Sequence, residues 1–96
     1  MDRRVKKLTK AEKLTIIKMV RYRDHGRCLI HGTAGAEVHE ILQKSGGRVR
    51  SEKIFDPKYM ACVCRDCHFD IHHRSKKKQI NDLLLKILKE RYAYEY

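Results

Sequence analysis

Two short metal-binding hooks set the strongest limit on how this chain can fold. Cys28-Leu29-Ile30-His31 and Cys64-Arg65-Asp66-Cys67 each hold two soft ligands two residues apart, with 32 residues between the hooks. A two-residue spacer lets a tight turn aim both side chains at one ion, and two such turns complete a tetrahedral set. The expected site is Cys3His zinc, made of Cys28, His31, Cys64 and Cys67. Disulfides are the poorer reading, because the composition is that of a basic intracellular protein, where thiols stay reduced. The remaining thiol, Cys62, is expected to be a buried strand residue.

A staple of this kind suits the length. The chain has 96 residues, room for one small domain, and domains of this size often need a metal to supplement their core. No apolar run approaches the ~18 residues of a membrane span, and no charged-then-apolar leader opens the sequence. The expectation is a cytoplasmic protein with no membrane partner.

Charge points to the partner. Lys and Arg number 23 against 12 Asp and Glu, a net charge of +11. Residues 1–27 hold ten Lys/Arg against three acids. Arg74, Lys76, Lys77 and Lys78 form a second cluster, and Arg48 and Arg50 lie in a Gly-containing stretch. Such an excess suits a polyphosphate, since each neutralised phosphate releases condensed counterions. Nucleic acid is the expected partner, with Arg48, Arg50, Arg74, Lys76, Lys77 and Lys78 as candidate contacts.

Local patterns divide the chain further. Thr9 and Glu12 have capping-box spacing, Leu14, Ile17 and Val20 share a helical stripe, and Asp24-His25-Gly26 is a stop; a basic helix is predicted over 10–24. Residues 25–35 are turn-rich. Short strands are predicted at 36–42 and 59–64, separated by a polar loop over 45–56. A helix is predicted over 67–75. Ile80, Leu83, Leu84, Ile87, Leu88 and Tyr92 follow the spacing of an amphipathic helix, whose apolar face either packs on the core or forms a homodimer interface.

A second ligand set lies around the second hook. His68 and His72 are four apart on the predicted helix, so both imidazoles project from one face and can share an ion. His39, on a strand packed against that helix, is the candidate third ligand.

Taken together, these residues resemble the HNH endonucleases, whose ββα-metal fold places a divalent ion between a hairpin and a helix. The matching stretch runs from about Arg27 to His73. It comprises Cys28-x2-His31-Gly32, the run from Glu37 to Leu42, Ser45-Gly46-Gly47, Asp56-Pro57, and Cys64-x2-Cys67-His68-x3-His72. The similarity is to short phage and prophage reading frames with zinc-binding hooks. It implies an α+β fold: a single zinc-stapled ββα-metal domain over 1–96, flanked by the basic N-terminal helix and the amphipathic C-terminal helix.

The resemblance implies metal-dependent DNA endonuclease activity, the hydrolysis of phosphodiester bonds. Cys28, His31, Cys64 and Cys67 would hold structural zinc. His39, His68 and His72 would hold a catalytic Mg2+, Mn2+, Ni2+ or Zn2+. Alignment on Ile41 puts Glu40 in the place of the general base; alignment on Gly46-Gly47 makes His39 the base and leaves Val38 at a ligand position. Tyr59 falls where the family has an asparagine. The alternative reading is a catalytically degenerate zinc module that binds DNA, or that regulates a nuclease or polymerase of a host.

Overall fold

The computed structural model describes residues 8–42, 55–73 and 76–96. Arg48, Arg50, Arg74 and Ser45-Gly46-Gly47 lie outside the described residues. The elements in chain order are α1 (Lys10–Arg23), β1 (Glu37–Glu40), a 3-10 turn (Pro57–Tyr59), β2 (Met60–Val63), α2 (Arg65–His73) and α3 (Lys77–Tyr92). Among the described residues, three helices and a two-stranded antiparallel sheet make a small α+β fold, and the helices and strands fall within a few residues of their sequence expectations.

The capping box is present. The Glu12 amide donates to Thr9 Oγ1 at 3.1 Å, and the Thr9 amide donates to Glu12 Oε1 at 2.8 Å. This satisfies two orphan N–H groups and starts α1 where the spacing predicts. At the other end His25 and Gly26 take positive φ (58° and 65°), which turns the chain out of the helix. The expected stripe is corrected in one place. Val20 is buried and Ile17 half-buried, but Leu14 is 50% exposed, because α1 meets the sheet through its C-terminal half.

β1 and β2 pair antiparallel, with Glu37 opposite Val63 and His39 opposite Ala61. Every β2 residue is buried, Met60, Ala61, Cys62 and Val63 each at 0% exposure, so both faces of this strand are covered. That is why its sequence is uniformly apolar instead of alternating. Cys62 is the buried strand residue expected. Leu84 and Leu88 of α3 complete the core from the other side, each fully buried within the protomer.

One polar knot ties these layers together. The Arg23 guanidinium donates twice to Asp24 (2.7 and 3.0 Å), to the carbonyls of Pro57 (2.8 Å) and Met60 (2.7 Å), and to Tyr94 Oη (3.2 Å). All five of its N–H donors are thereby used. The Asp24 carboxylate in turn accepts from the Cys62 amide at 3.0 Å and from Tyr92 Oη at 2.8 Å. The end of α1, the start of β2 and the C-terminal segment are held at one point. Arg23, counted by the sequence among the basic groups of 1–27, is internal and is withdrawn from the charge offered to a polyphosphate.

Candidate metal centres

The first hook is a loop shaped by backbone bonds. The Cys28 amide donates to the Thr33 carbonyl at 2.9 Å and the Gly32 amide to the Cys28 carbonyl at 2.7 Å. Gly32 has φ 74°, a conformation that glycine adopts freely. This turn brings His31 back over Cys28. Leu29 donates to the Cys62 carbonyl at 3.0 Å, which pins the hook to β2. The second hook follows directly: β2 ends at Val63, Cys64 precedes α2, and Cys67 lies in its first turn.

The four side chains converge. His31 Nδ1 lies 3.9, 3.4 and 3.3 Å from the sulfurs of Cys28, Cys64 and Cys67, and the Cys28 and Cys67 sulfurs are 3.9 Å apart. With ordinary Zn–S and Zn–N bond lengths, a regular tetrahedron has edges of about 3.8 Å between sulfurs and about 3.6 Å from sulfur to nitrogen. The separations match that figure closely, so Cys28, His31, Cys64 and Cys67 could hold a metal such as zinc. None of the three cysteines in this cluster is in a disulfide. Burial acts to raise the Cys28 thiol, but amide donors from His31, Cys64 and Ile30 overcome it and hold Cys28 below its usual value. Burial and the neighbouring Cys64 and Cys28 sulfurs push Cys67 well up. Three thiols this close can all ionise only around a cation.

The second set also assembles. β1 directs His39 into the protein, where it is 2% exposed, while α2 places His68 and His72 one turn apart. Ring centroids are 5.5 Å between His39 and His68, 6.0 Å between His39 and His72, and 4.7 Å between His68 and His72. One nitrogen from each ring lies within 4.8 Å of the others, a spacing that could hold one ion. A single helix thus serves both centres, with the cysteines at its start and the histidine pair on the following turns.

Neighbouring groups orient the rings. His68 Nδ1 donates to Glu37 Oε1 at 3.0 Å, which leaves Nε2 of that ring for an ion. Glu37 and His39 are two apart on β1 and share a face of the strand. His39 Nε2 lies 2.9 Å from Asn81 Oδ1, and both groups are buried. Burial moves His39 down to about 4, and its bond to Asn81 only partly offsets this; His68, His72 and Lys77 lower it further. His72 is also lowered, by desolvation and by His68, His73 and Lys77. Glu40 is half-buried, and burial raises its carboxyl despite the nearby His68.

Among the basic candidates, Lys76, Lys77 and Lys78 are exposed. Lys77 lies close enough to act on the histidines, whereas Lys78 pairs with Asp82 at 2.8 Å. An additional depression is lined by Lys18, Arg21 and Tyr22 of α1 and by His25 and Gly26 just past it, with Tyr22 85% exposed. Tyr59 packs its ring against Tyr96 at 5.4 Å. The amide that reaches His39 is Asn81, from α3, which sequence reasoning missed. Its signal was a polar residue on the apolar stripe of Leu84 and Leu88.

Among the described residues, no helix is long and apolar enough to cross a membrane. Compared with protein-family models, with curated proteins and with solved structures, the chain matches none.

Proposed function

We propose that this chain is a metal-dependent DNA endonuclease of the HNH kind, hydrolysing phosphodiester bonds. The observation that carries the reading is the convergence of His39 from a hairpin strand with His68 and His72 from the helix that follows it. A protein that only bound DNA would have no use for three imidazoles around one point. The order hairpin, then helix, with a Cys3His cluster at its root, is the arrangement the ββα-metal resemblance implies. In this reading Cys28, His31, Cys64 and Cys67 hold structural zinc.

His39, His68 and His72 would hold the second ion. Three neutral ligands leave its charge undiminished, and when bound it supplies electrostatic stabilisation to a phosphate and its leaving oxygen. The chain supplies the rest. Glu37 and Asn81 fix two of the rings, and Lys77 adds positive charge beside them. With His39 engaged among the ligands, the proton acceptor for the attacking water is Glu40, half-buried next to His39 in sequence and near His68. His72 is exposed and His68 partly so, which leaves the cluster open on the side a DNA strand would approach.

The test is incubation with supercoiled plasmid, single-stranded and branched DNA in Mg2+, Mn2+, Ni2+, Zn2+ or no added ion. Nicking that requires an ion and is lost in His72→Ala supports the reading. Salt-dependent DNA binding without cleavage in any ion would replace it with a zinc-stapled DNA-binding module.

A further inference from the structure

α2 carries two side-chain pairs of the same spacing. His68 and His72 face the candidate metal point. One residue on, about 100° around the helix, Phe69 and His73 form an aromatic pair of their own. Their ring centroids are 4.6 Å apart with a 37° tilt, Phe69 is 46% exposed and His73 is exposed. The His73 ring lies 6.5 Å from the ring of His72. A partly exposed aromatic pair therefore adjoins the three-histidine cluster. Asp66 precedes Phe69 by three residues and is exposed. A carboxylate there disfavours a phosphate at the aromatic pair itself and leaves it to a neutral group.

We propose that Phe69 and His73 form a stacking platform for an unpaired base of a DNA strand, next to the phosphate bound at His39, His68 and His72. The proposal rests on reading that cluster as a phosphate site, but it does not require cleavage. Charge selects the occupant: a chain of net charge +11, with exposed Lys76 and Lys77 just past α2, recruits a polyanion. Base chemistry selects its form. Every base has a flat face that stacks on an aromatic ring, whatever the sequence. In an intact duplex both faces are already covered, and freeing one has an unstacking cost. Single strands, mismatches and strand ends offer the face directly.

The test uses the full zinc-loaded chain and labelled oligonucleotides of one sequence as single strand and as perfect duplex, with and without Mn2+ at the histidine cluster, binding in Mn2+ being read from the uncleaved fraction. Wild type should favour the single strand. Phe69→Ala should weaken single-strand binding roughly tenfold, the scale of one base–aromatic stack, and leave duplex binding within about twofold. Phe69→Trp should restore affinity, and Phe69→Leu, which keeps apolar bulk but no flat ring, should behave like Phe69→Ala. Because Phe69 is half exposed, thermal melting should be unchanged in all three, which separates stacking from folding.

Equal losses on single strand and duplex, no loss on either, or full affinity in Phe69→Leu would each overturn the platform. A parallel cleavage assay with Mn2+ separates this from the nuclease reading. Phe69-dependent strand binding without cleavage in any ion supports the platform and defeats the enzyme. Ion-dependent cleavage together with single-strand binding indifferent to Phe69 does the reverse.

Discussion

His39 on β1 and Asn81 on α3 meet through a 2.9 Å hydrogen bond between two buried side chains 42 residues apart in sequence. The amide oxygen accepts, so Nε2 of His39 carries the proton and Nδ1 keeps its lone pair. His68 is fixed in the opposite sense, since Glu37 accepts from its Nδ1. To bind one ion, the two rings would have to use different nitrogens, Nδ1 of His39 and Nε2 of His68.

Asn81 should therefore set metal affinity without touching the metal. Asn81→Leu is expected to weaken binding at the three-histidine cluster 10- to 100-fold, the usual effect of removing an outer hydrogen-bond partner. Asn81→Asp keeps an acceptor and should retain most of the affinity. Titration with Mn2+ or Ni2+ reads the affinity, and imidazole 15N shifts read the tautomer. A wild-type tautomer and affinity in Asn81→Leu would contradict the assignment.

Zinc should be found at no less than one ion per chain and should be required for folding. Cys64→Ser removes one of four ligands and is expected to lose both the zinc and the cooperative thermal transition, because in small domains metal binding supplies much of the folding free energy. Cys62→Ala is the control. Its thiol is fully buried on β2 but outside the cluster, so zinc content should be unchanged while stability falls by about 1 kcal/mol for the small cavity. Elemental analysis and thermal melting on both variants check this.

What could be read from the sequence was what local geometry determines. The capping box at Thr9 and Glu12, the two-residue hooks and the four-residue step from His68 to His72 each fix side-chain directions within one turn of chain, and each is present. His39 was within reach because a strand before such a helix has few places to pack. The unread features are long-range polar contacts. Arg23 and Asp24 look like a basic surface residue and a helix stop, and their role depends on Pro57, Met60, Cys62, Tyr92 and Tyr94 arriving from distant segments. Asn81 is legible only as a polar interruption in an apolar stripe. Leu14 was misplaced because periodicity identifies a face of α1 but not how far along the helix the core extends.

The Arg23–Asp24 knot should be the main acid-sensitive element. Burial works to raise the Asp24 carboxyl, yet bonds from Arg23, the Cys62 amide and Tyr92, together with the Arg23 charge, hold it below its usual value. A carboxyl lowered on folding adds stability above its unfolded pKa of about 4, and that contribution is lost as pH falls through the folded value. Asp24→Ala leaves the Arg23 charge unpaired and should cost about 3–5 kcal/mol at pH 7. In urea denaturation the gap between wild type and Asp24→Ala should narrow as pH drops below 4. A gap independent of pH would show that the charge pair contributes nothing.

The catalytic reading is best tested at His72 and Glu40, because the burial of His39 complicates its removal. His39→Ala empties a core position and strands the Asn81 amide, so lost activity there would mix chemistry with stability. His72 is exposed, and His72→Ala should abolish ion-dependent cleavage with little change in melting temperature. With three imidazole ligands, Mn2+ or Ni2+ should support cutting at least as well as Mg2+, which prefers oxygen. Glu40 then separates the two possible bases. If Glu40 takes the proton from water, Glu40→Gln should lower the rate about 100-fold or more while leaving Mn2+ affinity near wild type. If His39 is the base, Glu40→Gln should retain most of the activity, and the role given to Glu40 is wrong. A matching loss of metal affinity in Glu40→Gln would instead mark Glu40 as a fourth ligand.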